Sequence, residues 1–134
     1  MIRLEEAKPS PEEMEQMFME AFGKHESSFI PQHVLLIYDD DRKIAFCSVY
    51  AHSKGTLYLQ YIGFLKGAEK KYQYYRETVE ALHKMGFPFI MGAISNQNTV
   101  ALMWALRSGF KIIGARQASN GELFVEILRV LDVG

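Results

Sequence analysis

The chain has 134 residues and a mass of 15.4 kDa, the size of one domain, long enough to bury a core without a disulfide or metal staple. Hydrophobic residues make up 49% and charged residues 23%, which excludes disorder, low complexity and collagen-like repeats. The net charge of −1 gives no global case for binding nucleic acid or an anionic membrane. A single cysteine, Cys47, precludes an intrachain disulfide and suits a reducing compartment. The first residues, Met1-Ile2-Arg3-Leu4-Glu5-Glu6, lack the apolar run of a signal peptide, and no stretch of about 18 apolar residues is present to span a membrane. Cytoplasmic placement is the expectation.

In chain order, Ile2 to Leu4 reads as a short strand. Ser10-Pro11-Glu12-Glu13 is a helix start: Ser10 caps, Pro11 suits the first helical position, and Glu13 completes a capping box. Met14, Met17, Phe18, Ala21 and Phe22 give that helix one apolar face, and Gly23 ends it before a loop running to Pro31. His33–Tyr38 and Ile44–Ala51 form a hairpin with a polar tip at 39–43. Thr56–Phe64 (TLYLQYIGF) is apolar on both faces and so central to its sheet. Ala68, Tyr72, Tyr75, Val79 and Leu82 then recur at helical spacing over 68–85, with Tyr72 and Tyr75 inward and Tyr74 outward. Gly86 and Pro88 close that helix.

Phe87–Ile94 is a buried strand. Asn98–Ser108 is a short helix, apolar nearly all round and therefore expected to be buried, with Gly109 as its cap. Strands at Lys111–Ala115 and Glu122–Leu131 finish the chain. The fold class is α/β, a single domain with a mixed sheet in the order β-α-β-β-β-α-β-α-β-β, in which 56–64, 68–85 and 87–94 make one right-handed crossover.

This order, together with Asn98-x-x-Ala101-Leu102-x-Trp104-Ala105-x-Arg107-x-Gly109-Phe110, resembles the GNAT family of N-acetyltransferases over almost the whole chain. The resemblance implies acetyl-CoA as co-substrate and an amine, of a small molecule or a protein, as acceptor. It implies a cofactor cleft beside strand 56–64, with backbone at Tyr61 and Ile62 gripping the thioester end and Asn98 contacting the pantetheine. The pyrophosphate would rest on the start of helix 68–85. Free N–H groups and the positive end of the helix dipole make such a place an anion site.

The family's Arg/Gln-x-x-Gly-x-Gly/Ala segment falls on Lys66-Gly67-Ala68-Glu69-Lys70-Lys71, so Glu69 and Lys71 stand where the family has glycine. Glycines let backbone approach phosphate; here Lys66, Lys70 and Lys71 would compensate as point charges. The tyrosine that many members use as general acid corresponds to Ala105, which donates nothing. Neither a general acid nor a base can be named. The eroded motif also resembles small phage-encoded GNAT-like proteins, for which a silent binding module, a virion or host-interaction factor, is the alternative to an enzyme.

Other residues carry weaker chemistry. Asn98 also suits the N-cap of its helix. Gly63 signals a bulge or the close approach of another group. Cys47 reads as a core thiol. His25, His33, His52 and His83 lack ligand spacing, so no metal site is expected; His52 at a strand end and His83 late on a helix are the candidates for a base. An edge strand leaves homodimerisation open.

Overall fold

The structure, a computed structural model, describes residues 2–23 and 33–131. The loop expected up to Pro31, with His25, lies outside them. The elements are β1 (Ile2–Ala7), α1 (Pro11–Phe22), β2 (His33–Asp39), β3 (Arg42–Ser53), β4 (Thr56–Phe64), α2 (Lys71–Lys84), β5 (Phe89–Ser95), α3 (Thr99–Arg107), β6 (Lys111–Gln117) and β7 (Leu123–Val130). Seven strands form one mixed sheet in the order β1-β2-β3-β4-β5-β7-β6. The expected element order is reproduced. Among the described residues no helix is long and apolar enough to cross a membrane. By contacts the chain divides into two compact units, Met1–Tyr50 with Leu59–Thr78, and Ala51–Tyr58 with Val79–Gly134.

In the first unit, α1 starts as its sequence dictates. Ser10 Oγ accepts from the Glu13 N–H at 3.2 Å, and Glu13 Oε1 accepts from the Ser10 N–H at 3.2 Å. The Ser10 N–H, and after it the Ser10 hydroxyl, hold the Glu13 carboxyl below its usual range, with a smaller contribution from the charge of Lys43. Gly23 ends the helix in the left-handed region at φ 69°, its N–H donating to the Met19 carbonyl at 2.9 Å. The apolar face of α1 then meets the sheet. Met17 and Phe18 pack with Phe46 and Leu65, flanked by Met14, Ala21, Leu36 and Tyr61. The Tyr61 ring stands edge-on to Phe18, with centroids 4.9 Å apart, and to Phe46 at 5.7 Å, a favourable arrangement for ring quadrupoles.

Six successive residues of β3, Ile44 to Val49, are buried. Such a strand is covered on both faces. On its neighbour β4, a Cβ on Gly63 would lie 2.7 Å from the Phe46 ring and 3.0 Å from Ala21. The close approach expected at Gly63 is therefore that of a core aromatic ring.

In the second unit, β5 pairs antiparallel with β7, and β7 with β6, so that Gly92, Ile127 and Ile112 lie in one row. Arg129 Nε donates to the Ser108 carbonyl at 2.8 Å, closing the C-terminal end of α3. Ser108 is the capping residue, with Gly109 just beyond it at φ 107°.

Three expectations are corrected. Helix α2 begins at Lys71, so 68–70 belong to the preceding loop. Helix α3 is not wrapped in core: Ala105 is fully buried, whereas Val100, Met103 and Leu106 are 51%, 54% and 48% exposed. Tyr74 is buried, at 4% exposure, because its hydroxyl donates to Asp39 Oδ2 at 2.6 Å and so takes its polar end inward satisfied.

The packing at Gly63 leads to the first prediction. Phe46 is fully buried and cannot swing aside. Gly63→Ala is expected to destabilise the fold by about 1–3 kcal/mol through overpacking, read as a lower urea midpoint with an unchanged slope.

Candidate functional site

The segment joining β4 to α2 is fixed at two points and exposed elsewhere. Leu65 is buried, and its N–H donates to the Ile44 carbonyl at 2.9 Å. Ala68 is buried, its N–H donating back to the Leu65 carbonyl at 3.2 Å. Between these anchors Lys66 and Gly67 make a turn, with Gly67 at φ 88°, where a side chain would be strained. Lys66, Gly67, Glu69, Lys70 and Lys71 are all exposed. The Lys70 carbonyl accepts the first helical bond, from the Tyr74 N–H at 2.9 Å. The amides of Lys71, Tyr72 and Gln73 therefore occupy the first turn, where N–H groups have no acceptor within the helix.

Two residues distant in sequence meet this loop. The Lys66 N–H donates to Glu20 Oε2 of α1 at 2.7 Å, across 46 positions. Arg42, at the start of β3, brings Nη1 to 4.0 Å from where a Cβ on Gly67 would stand. Among the described residues no other heavy atom comes as near that point once the flanking residues are set aside. The loop thus offers backbone amides and three exposed lysines, with a guanidinium beside its glycine. That donor set fits a phosphate-bearing group. Exposure of Glu69 and Lys71 leaves their side chains outside the packed loop, although Glu69 still adds a negative charge.

The remaining expected site residues are placed as follows. Tyr61 and Ile62 lie on β4, half-buried. The Tyr61 ring belongs to the aromatic core, and desolvation pushes its hydroxyl well above the usual tyrosine range, against the opposing effect of Ser48. Its side chain packs rather than reacts, and only its backbone is left for a carbonyl contact. Asn98 caps α3: its Oδ1 accepts from the Ala101 N–H at 3.2 Å. Ala105, at the family's tyrosine position, is fully buried. Cys47 is also fully buried, and desolvation pushes its thiol up to about 12, so it is not a nucleophile at neutral pH. Among the described residues, no three His, Cys, Asp or Glu side chains are grouped to hold a metal.

His83, read from sequence as a candidate base late on its helix, is only 3% exposed. Its Nδ1 lies 2.7 Å from the Phe87 carbonyl, so Nδ1 carries the proton and donates. Among the described residues its Nε2 is buried without a hydrogen-bond partner. His83 fastens the end of α2 to the chain beyond Gly86 and has no route to a substrate proton. Arg42 and Glu20 are the residues that sequence reasoning missed. No local signal marks them, because both reach the loop through tertiary packing.

No family model matches the sequence, and no curated protein matches it. Solved structures do match. An acetyltransferase from Bacillus subtilis, solved in complex with CoA, superposes with a TM-score of 0.73 at 15% identity over 98% of this chain and 100% of that one. The ribosomal-protein-S18-alanine N-acetyltransferase of Escherichia coli gives 0.72 at 11% identity, over 100% and 96%. A GNAT family acetyltransferase from Elizabethkingia anophelis, with acetyl-CoA bound, gives 0.72 at 14% identity, over 97% and 98%. The chain has the GNAT fold, as its element order implied.

The environment of His83 sets a pH dependence. Burial, the largest influence, and the nearby Arg129 charge lower its pKa in the fold; the Phe87 carbonyl and Glu80 oppose this. The unfolded chain takes the proton near 6.5 and the folded one only at lower pH. Acid therefore favours unfolding. The stabilisation is complete above about 6.5 and is lost as pH falls toward the folded value, at up to about 1.4 kcal/mol per pH unit. Urea titrations from pH 7.5 to 5 should show this slope, and His83→Gln should reduce it.

Proposed function

We propose that this protein transfers an acetyl group from acetyl-CoA to an amine, acting as one GNAT-like domain. The observation that carries the reading is the exposed, doubly anchored loop before α2. Its helix-start amides, with Lys66, Lys70 and Lys71, form an anion site where the GNAT fold seats a pyrophosphate. The CoA and acetyl-CoA held by structural neighbours support the same ligand.

In this reading Lys66, Gly67, Ala68, Glu69, Lys70 and Lys71 hold the pyrophosphate. The two buried anchors, Leu65 and Ala68, donate their own amides to protein carbonyls and so hold in place, before any ligand arrives, the backbone from which the free amides of α2's first turn project. Backbone N–H on β4 near Tyr61 and Ile62 polarises the thioester carbonyl. Asn98 orients the pantetheine with whatever hydrogen-bonding capacity its capping role leaves. Acetyl-CoA supplies a thioester activated for attack by an amine. The amine also loses a proton, to a base or to a chain of water.

A second reading is favoured by one observation: Ala105 is buried and inert where many family members have a proton donor. On that reading the chain is a catalytically silent binding module. Acetyl-CoA at 100 times its Kd should stabilise the fold by about 2.7 kcal/mol, read as a rise in melting temperature. Lys66→Ala, Lys70→Ala and Lys71→Ala combined should weaken binding roughly tenfold or more, with less difference at high salt. Release of free thiol with a panel of amines and N-terminal peptides then separates the two readings. Binding with turnover supports the transferase, binding without turnover indicates a retained cofactor site without catalysis, and no binding contradicts the acetyl-CoA reading and favours the silent protein-binding module.

A further inference from the structure

We propose that Arg42, on the β2–β3 hairpin, is a phosphate-binding residue of the acetyl-CoA site, a second element closing on the anion loop opposite the start of α2. The inference rests on the acetyl-CoA reading and names a residue outside the segment that resemblance points to.

The geometry is specific to this hairpin. Arg42 and Asp39 face each other across the last pair of the β2–β3 ladder, so the two-residue turn at Asp40-Asp41 fixes where the Arg42 backbone lies. From there Nη1 reaches the open side of Gly67. Gly67 has a positive φ and no side chain, so a ligand can approach its backbone, and the guanidinium stands beside that approach. Arg42 is itself exposed.

The base of the same hairpin is tied to α2. Tyr74, in the first turn, donates its hydroxyl to Asp39 Oδ2 at 2.6 Å. The Arg42 charge acts on both partners, favouring the ionised form of each. Hairpin and helix start are thus tied through one tyrosine, and the Arg42 guanidinium is hydrogen-bonded to the same Tyr74 hydroxyl. A guanidinium offers a planar fork suited to two phosphate oxygens, which a lysine cannot reproduce. The loop itself carries Lys66, Lys70 and Lys71, which attract a phosphate, and Glu69, which repels one; Glu20 on the Lys66 N–H and Asp39 across from Arg42 also repel one. Arg42 shifts that balance toward binding.

CoA carries a diphosphate and a 3′-phosphate, and either can be the group met. The test is calorimetric titration of wild type, Arg42→Ala and Arg42→Lys with CoA and with dephospho-CoA. Arg42→Ala should weaken CoA binding about tenfold, with Arg42→Lys intermediate. If the 3′-phosphate is met, wild type prefers CoA over dephospho-CoA and Arg42→Ala loses that preference. If the diphosphate is met, Arg42→Ala weakens both ligands alike. Arg42→Ala binding both ligands as tightly as wild type would overturn the proposal while leaving the acetyl-CoA reading intact. Wild type binding neither ligand would instead overturn that reading. Should Arg42→Ala melt well below wild type, Arg42→Gln, which keeps a donor toward Tyr74, carries the same comparison with the same expected and contrary results.

Discussion

The hydrogen bond from the Leu65 N–H to the Ile44 carbonyl marks the point where the chain leaves the sheet, and the candidate site depends on what happens there. One residue earlier the backbone belongs to β4; one residue later it is a turn in solvent. Leu65 is anchored in the same apolar cluster as Met17, Phe18 and Phe46. The position of the exposed loop is therefore set by the core of the first unit, and the loop does not need a side-chain lattice of its own. Ala68 repeats the device three residues on, and α2 begins from a backbone already placed. A site built this way loses little entropy when it binds, because its amides are ordered beforehand.

The same cluster explains features that look functional in isolation. Gly63 in an apolar strand suggests a cofactor's approach, yet the space is taken by Phe46. Tyr61 lies where a catalytic phenol would be attractive, yet its ring is packed edge-on among Phe18 and Phe46, and burial suppresses its ionisation. Phe18, Phe46 and Tyr61 pack in the cluster that anchors Leu65 at the start of the loop.

Much of the fold was legible because it is local. The Ser10 box, the Gly23 cap and the bounds of β4 follow from residues within a few positions of each other, and the structure has them. The burial errors have one physical origin. Residues 74, 75, 78, 79, 82 and 83 of α2 are all buried, a stripe wider than the one read from apolar spacing. Tyr74 enters it because Asp39 takes its hydroxyl proton, and His83 because the Phe87 carbonyl takes its Nδ1–H. Pattern counting treats such residues as polar, and only tertiary partners make them core. Helix α3 fails in the opposite sense, since apolar composition alone does not say how many faces a neighbour will cover. For the site, the loop and its lysines were visible through resemblance. Arg42 and Glu20 were not, because their approach is a product of the folded hairpin and of α1.

The central claim is that backbone amides at the start of α2 receive phosphate. It is tested most directly by following the backbone amides of ¹⁵N-labelled protein during titration with CoA. The account requires the largest shifts at Gly67 through Gln73. A saturable response confined to other residues, with the amides from Gly67 to Gln73 unmoved at millimolar CoA, would contradict it.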